Sequence, residues 1–340
     1  MIRMLTGSAF RLLLLAFFLL PGAAAAAGET EAQRQVTQPY NNEPVWREVR
    51  SGQEQFTTAR GVEAGVLVQM AGEAWRKAHN GPVTQIGGWF LVVLVIAMYL
   101  FYRWKGPIKL REKPTGRIIE RFTSVERFAH WTLATSFCVL AISGLVMLFG
   151  KHVVLPVLGY TLFGWLAILC KSLHNFVGPL FIVSTLVVFV MWVKDNLPRA
   201  SDLNWILKAG GMISGEHVAS HRFNAGQKGW FWFGVLGLGI VMGVTGLILD
   251  FPNFEQGRAI MQQANLVHAI GAIVFIAMGL AHIYIGTIGM EGAYDTMRTG
   301  LVDESWAKEH HEEWYNDVKA GKIPAARTAS ATATAAAPQP

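Results

Sequence analysis

Residues 266–284 read LVHAIGAIVFIAMGLAHIY, and this stretch decides the fold. It contains no Asp, Glu, Lys or Arg. With its flanks, from 265 to 288, it is long enough at about 1.5 Å per residue to cross roughly 30 Å of hydrocarbon. A histidine inside a bilayer is expensive and is functional by default. His268 and His282 are fourteen residues apart, which on a helix is about 21 Å of rise and only about 40° of rotation. One face of one membrane helix therefore presents an imidazole near each side of the bilayer.

Four other segments have the same character, near 87–103, 128–150, 172–193 and 229–250. Bulk composition agrees: 52% of the 340 residues are apolar and 15% charged, with a positive mean hydropathy of +0.33, too apolar for an ordinary soluble domain. Trp89, Trp104, Trp192 and Trp230 stand at span ends, where an amphipathic ring favours the headgroup layer. The stretch 153–170 is also apolar, but Pro156, Gly159 and Gly164 interrupt it, and it reads as an interfacial helix or a re-entrant piece. The net charge of +6 does not point to nucleic acid, because the basic residues cluster beside apolar runs, as in cytoplasmic loops. Two cysteines, Cys138 and Cys170, offer no zinc spacing, iron–sulfur ligand set or disulfide framework.

The N-terminus carries Arg3, an apolar core from Leu12 to Leu20, a Pro-Gly break and five alanines, the pattern of a signal peptide over 1–27 cleaved near Ala27. Residues 28–86 are polar and are expected to form a periplasmic extension. An additional transmembrane helix follows at 87–103, then a basic linker at 104–127. The region 103–127 carries eight Lys or Arg residues, whereas 250–264 has only Arg258, so the former is cytoplasmic by the positive-inside rule. Alternation puts the mature N-terminus in the periplasm and the tail, 291–340, in the cytoplasm. The Ala/Thr/Pro-rich end of that tail, from about 324, reads as disordered. The expected fold is an all-α membrane protein of a bacterial inner membrane: a four-helix transmembrane bundle over 128–290, one additional N-terminal span and a cleavable signal peptide.

Two more histidines enter the spans, His130 and His174. Counting from the assigned sides, His174 matches the depth of His268 toward the periplasm, and His130 that of His282 toward the cytoplasm. Each pair offers two imidazoles from different helices across a bundle, an arrangement that clamps a haem iron axially on both faces. The cofactors expected are two haems, and without a C-x-x-C-H motif they are non-covalent b type. Gly144, fourteen residues after His130 on the same face, would admit a porphyrin at the periplasmic depth, though small-residue helix packing accounts for the glycine equally well. A transporter or plain membrane anchor would instead use such histidines as proton relays or interhelical bonds. His79, His152, His217, His221, His310 and His311 fall in loops or tails and read as solvated or interfacial.

From about Ile118 to Lys322 the chain resembles the gamma, or cytochrome b, subunit of membrane-bound respiratory formate dehydrogenases. The resemblance rests on ERFAHWT, LHNFVGP, HRFNAGQKGWFW, HAIGAI with AHIY, and WAKEHHEEWY. It implies haem ligation by His130, His174, His268 and His282, and a quinone site near the inner haem at Asn224, Gly226 and Gln227. The residues alone read that last stretch as a helix start capped by Asn224. The resemblance also implies a molybdenum- or tungsten-containing catalytic subunit and an iron–sulfur subunit as partners, with quinone as electron acceptor. Cytochrome b subunits of nickel–iron hydrogenases and thiosulfate reductases also use membrane histidine pairs and remain alternatives. The segment before residue 118 has no counterpart in a minimal four-helix member.

Overall fold

The computed structural model describes residues 43–52, 70–211, 214–216, 218–254 and 256–328. The expected signal peptide, much of the expected extension and His217 lie outside them. A helix at Glu43–Arg50 belongs to a unit of its own. Among the described residues, five helices are long and apolar enough to cross a membrane: Ala71–Lys105, Ser124–Val153, Leu155–Trp192, Ala225–Asp250 and Arg258–Gly289, the first to fifth spans below. The chain is a multi-pass, mostly helical membrane protein.

Two of these helices start on the same device. Thr123 accepts a hydrogen bond from the Glu126 amide while Glu126 accepts one from the Thr123 amide at 2.8 Å, and Asn224 and Gln227 exchange equivalent bonds at 2.9 and 3.0 Å. Each capping box satisfies two backbone donors that a helix start leaves orphaned. The first span reaches further back than its apolar run. Met70–Ala78, a π-helical turn at His79–Val83 and Thr84–Lys105 follow one another without a break, so residues 71–86 of the expected extension are helical. Trp75 Nε1 donates to Asn265 Oδ1 at 3.2 Å and ties this overhang to the fifth span.

The third span corrects the reading of 153–170, which from Leu155 on is the beginning of that span's own helix and not a separate interfacial or re-entrant piece. The helix breakers act only at the turn. Pro156 occupies the first turn, where no backbone donor is needed, and Gly159 alone leaves the helical region, at φ 72°. From Tyr160 to Trp192 the helix runs on for about 50 Å. The polar pair Lys171 and Ser172 does not interrupt it, and Lys171 Nζ donates to Asn175 Oδ1 one turn on.

The second and third spans form one antiparallel hairpin and the fourth and fifth another, and the two hairpins are related by an internal repeat. RFTSVER at 121–127 corresponds to RFNAGQK at 222–228, 101 positions on, and SGL at 143–145 to TGL at 245–247, 102 positions on. The added residue falls where the fourth span is π-helical, Trp230–Leu238, since a π-bulge accommodates one extra residue in a helix. In the second helix of each hairpin the spacing is 94, which aligns His174 with His268 and Phe181 with Phe275.

The contacts obey the same relation. Arg121 Nη2 donates to the Arg222 carbonyl at 2.8 Å, and Arg222 Nη2 to the Arg121 carbonyl at 2.8 Å. A Cβ on Gly279 would meet Phe137 at 2.7 Å, and one on the counterpart of Phe137, Gly239, would meet the counterpart of Gly279, Thr185, at 3.2 Å. Phe181 and Phe275 face each other with ring centroids 6.0 Å apart.

One end of the bundle carries a folded cap. Strands β1, Ile118–Glu120, and β2, Leu301–Asp303, pair antiparallel. Short helices at Glu304–His310 and Glu312–Lys319 close over them, burying Ile119, Val302, Trp306, Trp314 and Tyr315. The basic stretch 104–127 is thus built into the cap. The tail also docks, beyond the boundary suggested by its composition. The Glu120 amide donates to the Ala325 carbonyl at 2.8 Å, the Arg327 and Thr328 amides donate to Glu120, and Arg327 Nη2 reaches Glu126 at 2.8 Å. Residues 329–340 lie outside the described part.

Candidate functional site

The four span histidines meet in two pairs. His174 and His268 have ring centroids 6.1 Å apart with 68° between planes, at the end of the bundle far from the cap. His130 and His282 are 6.3 Å apart at 58°, at the cap end. No group of three or more His, Cys, Asp or Glu able to hold a metal occurs among the described residues.

A two-ligand site suits an iron whose other positions a macrocycle fills, and it does not suit zinc, which takes three or four protein ligands. The spacing can be tested. An imidazole nitrogen sits about 2.0–2.1 Å from a first-row metal and roughly 1.1 Å from its own ring centre, so two imidazoles on one ion place their centroids about 6.3 Å apart. Both pairs fit that distance, and the residues present suit axial ligation of a haem.

The surroundings of the far-end pair follow the repeat. His174 Nδ1 lies 2.8 Å from Ser143 Oγ, and His268 Nδ1 lies 2.8 Å from Thr245 Oγ1. The glycines that follow these hydroxyl residues keep the imidazoles clear: a Cβ on Gly144 would stand 3.3 Å from His174 Cε1, and one on Gly246 3.4 Å from His268 Cε1. Gly144 therefore lies at the depth expected of it, directly against the imidazole of His174.

The cap-end pair is asymmetric. The repeat matches His130 with Phe231 and His282 with Val188, and these two counterparts are buried in one apolar cluster. Trp230 stacks on His282 at 5.0 Å and 15°, while Trp131 and Trp192 flank His130. His130 Nδ1 is buried and has no hydrogen-bond partner among the described residues. One turn before His130, Glu126 accepts from Arg222 at 2.6 Å, Arg327 at 2.8 Å and Trp192 Nε1 at 3.2 Å. Arg222 also reaches Asp195 at 2.5 Å.

Asn224, Gly226 and Gln227 lie on the cap side at the start of the fourth span. The side-chain oxygens of Asn224 and Gln227 serve the capping box, and Gln227 Oε1 also accepts from Arg121 Nη2 at 3.4 Å, so only the two NH2 groups remain as donors. Gly226 lies under the Trp205 indole, which an added Cβ would meet at 2.7 Å. A flat ring does approach this backbone, and it belongs to the protein itself.

Two of the loop histidines differ from expectation. His221 and His311 are buried, because the cap folds over them. His311 Nδ1 donates to the His221 carbonyl at 2.6 Å, and Ser220 Oγ donates to the His310 carbonyl at 2.8 Å. Burial, and then the Arg121 charge, holds the His311 imidazole well below its ordinary range, and burial also lowers His221. Burial, and then Arg222, pushes Arg121 down to about 9, which leaves it charged at neutral pH. Sequence reasoning missed Ser143, Thr245, Gly246, Trp230 and the Glu126–Arg222 pair. The repeated [ST]-G-L and R-F-[TN]-x-x-[EQ] strings were the available signal.

The sequence profile of the prokaryotic cytochrome b561 family matches residues 121–300. The cytochrome b556(fdo) subunit of formate dehydrogenase from Escherichia coli strain K12 is 31% identical over 210 residues, covering 59% of this chain and 93% of the relative. The cytochrome b556(Fdn) subunit of the nitrate-inducible formate dehydrogenase from the same strain is also 31% identical, covering 60% and 93%. A formate dehydrogenase cytochrome b556 subunit from Haemophilus influenzae is 27% identical over 219 residues, covering 61% and 86%.

Proposed function

The chain belongs to the prokaryotic cytochrome b561 family, and from that membership we propose that it is the di-haem cytochrome b subunit of a formate dehydrogenase complex, passing electrons through the membrane to quinone. The observation that carries this reading is the presence of two histidine pairs, each at the separation two imidazoles adopt on one metal ion. When bound, each haem supplies a one-electron ferric/ferrous couple.

The chain's own residues do the rest. His174 and His268 hold the far-end haem between the two hairpins, and His130 and His282 hold the cap-end haem. The far end faces the periplasm, where an iron–sulfur subunit delivers electrons taken from formate by a molybdenum or tungsten subunit. The cap faces the cytoplasm of a bacterium whose inner membrane holds the chain. Quinone meets the cap-end pair beside Asn224, Gly226 and Gln227, where two amide NH2 groups are free to donate to a carbonyl. Two protons taken from the cytoplasmic side for each formate oxidised outside separate charge across the membrane. Support comes from the fit of the pairs, the repeat-related approach at Gly144 and Gly246, and relatives that are formate dehydrogenase subunits.

The test is donor-specific reduction of the purified complex. Formate should reduce both haems, and added quinone should reoxidise them. Reduction by hydrogen but not by formate would assign the chain to another dehydrogenase, and a complex without haem would refute the reading.

A further inference from the structure

We infer that Ser143 and Thr245 are equivalent positioning residues for the far-end haem, each fixing the tautomer and ring plane of one axial histidine. The inference rests on the di-haem reading above.

Each hydroxyl sits within reach of an imidazole and two backbone carbonyls, the nearer one four residues earlier and the farther one three residues earlier, Leu140 at 3.2 Å for Ser143 and Met242 at 3.4 Å for Thr245. Ser143 Oγ is 2.7 Å from the Val139 carbonyl and 2.8 Å from His174 Nδ1, and Thr245 Oγ1 is 2.6 Å from the Val241 carbonyl and 2.8 Å from His268 Nδ1. A hydroxyl has one proton to give and two lone pairs to receive. Back-bonding to the carbonyl four residues earlier uses that proton. What remains toward the imidazole is a lone pair, so Nδ1 carries the hydrogen and donates it. The lone pair of each ring then sits on Nε2, the nitrogen free for axial ligation. In metal sites the partner on the far imidazole nitrogen fixes both tautomer and orientation.

The repeat makes the argument stronger than either contact alone. Ser143 and Thr245 are counterparts at a spacing of 102, His174 and His268 at 94, and Val139 and Val241 at 102, so the whole carbonyl–hydroxyl–imidazole chain occurs twice. The far-end pair is therefore the one whose ligands are symmetry counterparts. At the cap end, by contrast, His130 Nδ1 has no hydrogen-bond partner among the described residues. A hydrogen bond from Nδ1 gives the imidazole partial anionic character, which stabilises ferric iron and lowers the haem potential. The two hydroxyls should act on one haem and in the same direction.

The experiment is spectroelectrochemistry on the intact complex, with the two haems resolved, for S143A, T245A, the double variant, and the hydroxyl-conserving S143T and T245S. Each alanine variant should raise the midpoint potential of the same haem and leave the other unchanged. The double variant should raise it further, and S143T and T245S should stay near the parent value. If an alanine variant sheds that haem, retention in the corresponding hydroxyl-conserving variant carries the same meaning. Unchanged potentials in both alanine variants, or loss of haem that S143T and T245S do not restore, would overturn the assignment of these hydroxyls. Shifts on two different haems would instead break the His174–His268 pairing, and no haem in the parent complex would break the underlying reading.

Discussion

Replacing Glu126 by alanine should weaken the cap end of the bundle more than any other single carboxylate change there. Its carboxylate holds Arg222 at 2.6 Å and Arg327 at 2.8 Å, and it receives the Trp192 indole and the Thr123 amide. The side chains of Glu126 and Arg222 are 10% and 9% exposed, so the pair is buried. Removing one partner of a buried pair costs about 3–5 kcal/mol, because the other charge is left uncompensated. Asp195 still touches Arg222 but is one-third exposed, so it offsets only part of that cost. For a chain of this size, the apparent melting temperature of the solubilised complex should fall by roughly 4–7 °C. Because Trp192 flanks His130, the cap-end haem should be released first on heating, which the Soret band follows. R327A breaks a more exposed contact and should cost about 1 kcal/mol or less. E126A/R222M removes the stranded charge and should recover part of the loss. Equal effects for R327A and E126A, or no recovery in the double variant, would refute this reasoning.

G144V and G246V should each displace the far-end haem, since a Cβ already stands 3.3–3.4 Å from the imidazole and valine adds two methyls beyond it; an unaltered spectrum in both would count against this packing. H174M and H268M should perturb one haem potential, and H130M and H282M the other; H174M and H130M acting on the same haem would show the pairing to be wrong. N224A and Q227A should leave both haems and dye-coupled formate oxidation intact while slowing quinone reduction, with a stability loss of about 1 kcal/mol from the broken capping box, and normal quinone kinetics in both would move the site elsewhere. His311 is held neutral by burial and then by Arg121, so its stabilising contribution is complete above about pH 6.5 and is lost as pH falls below that toward its lowered folded value. Amide exchange across 304–319, corrected for intrinsic rates, should therefore speed up on acidification in the parent chain and less so in H311Q; identical slopes would exclude His311 as the cause.

The spans were legible because hydrocarbon thickness imposes a minimum apolar length, and any run of that length is visible one residue at a time. The histidine pairs were legible for a related reason: depth along a helix is a linear count, so matched depths follow from numbering once orientations are assigned. Helix breakers proved harder to read, since their effect depends on where the turn falls. Pro156 and Gly159 shape only the turn between the second and third spans, and the helix overruns Gly164 and Lys171 without difficulty. The cap was illegible because its two three-residue strands pair across more than 180 positions, and its buried groups, Arg121 of the basic linker and His311 of the tail among them, look solvated in a linear reading. The hydroxyl supports of His174 and His268 lie on neighbouring helices, where only recognition of the repeat would have pointed to them.

The central claim is that the chain holds two haems, each between two histidines. Haem quantification per chain together with near-infrared magnetic circular dichroism of the oxidised complex tests it most directly, because the ligand-to-metal bands report the axial pair on each iron. The account predicts two acid-acetone-extractable haems per chain, both low-spin with two imidazole ligands. A single haem, a covalently retained one, or an iron with any axial ligand other than imidazole would contradict it.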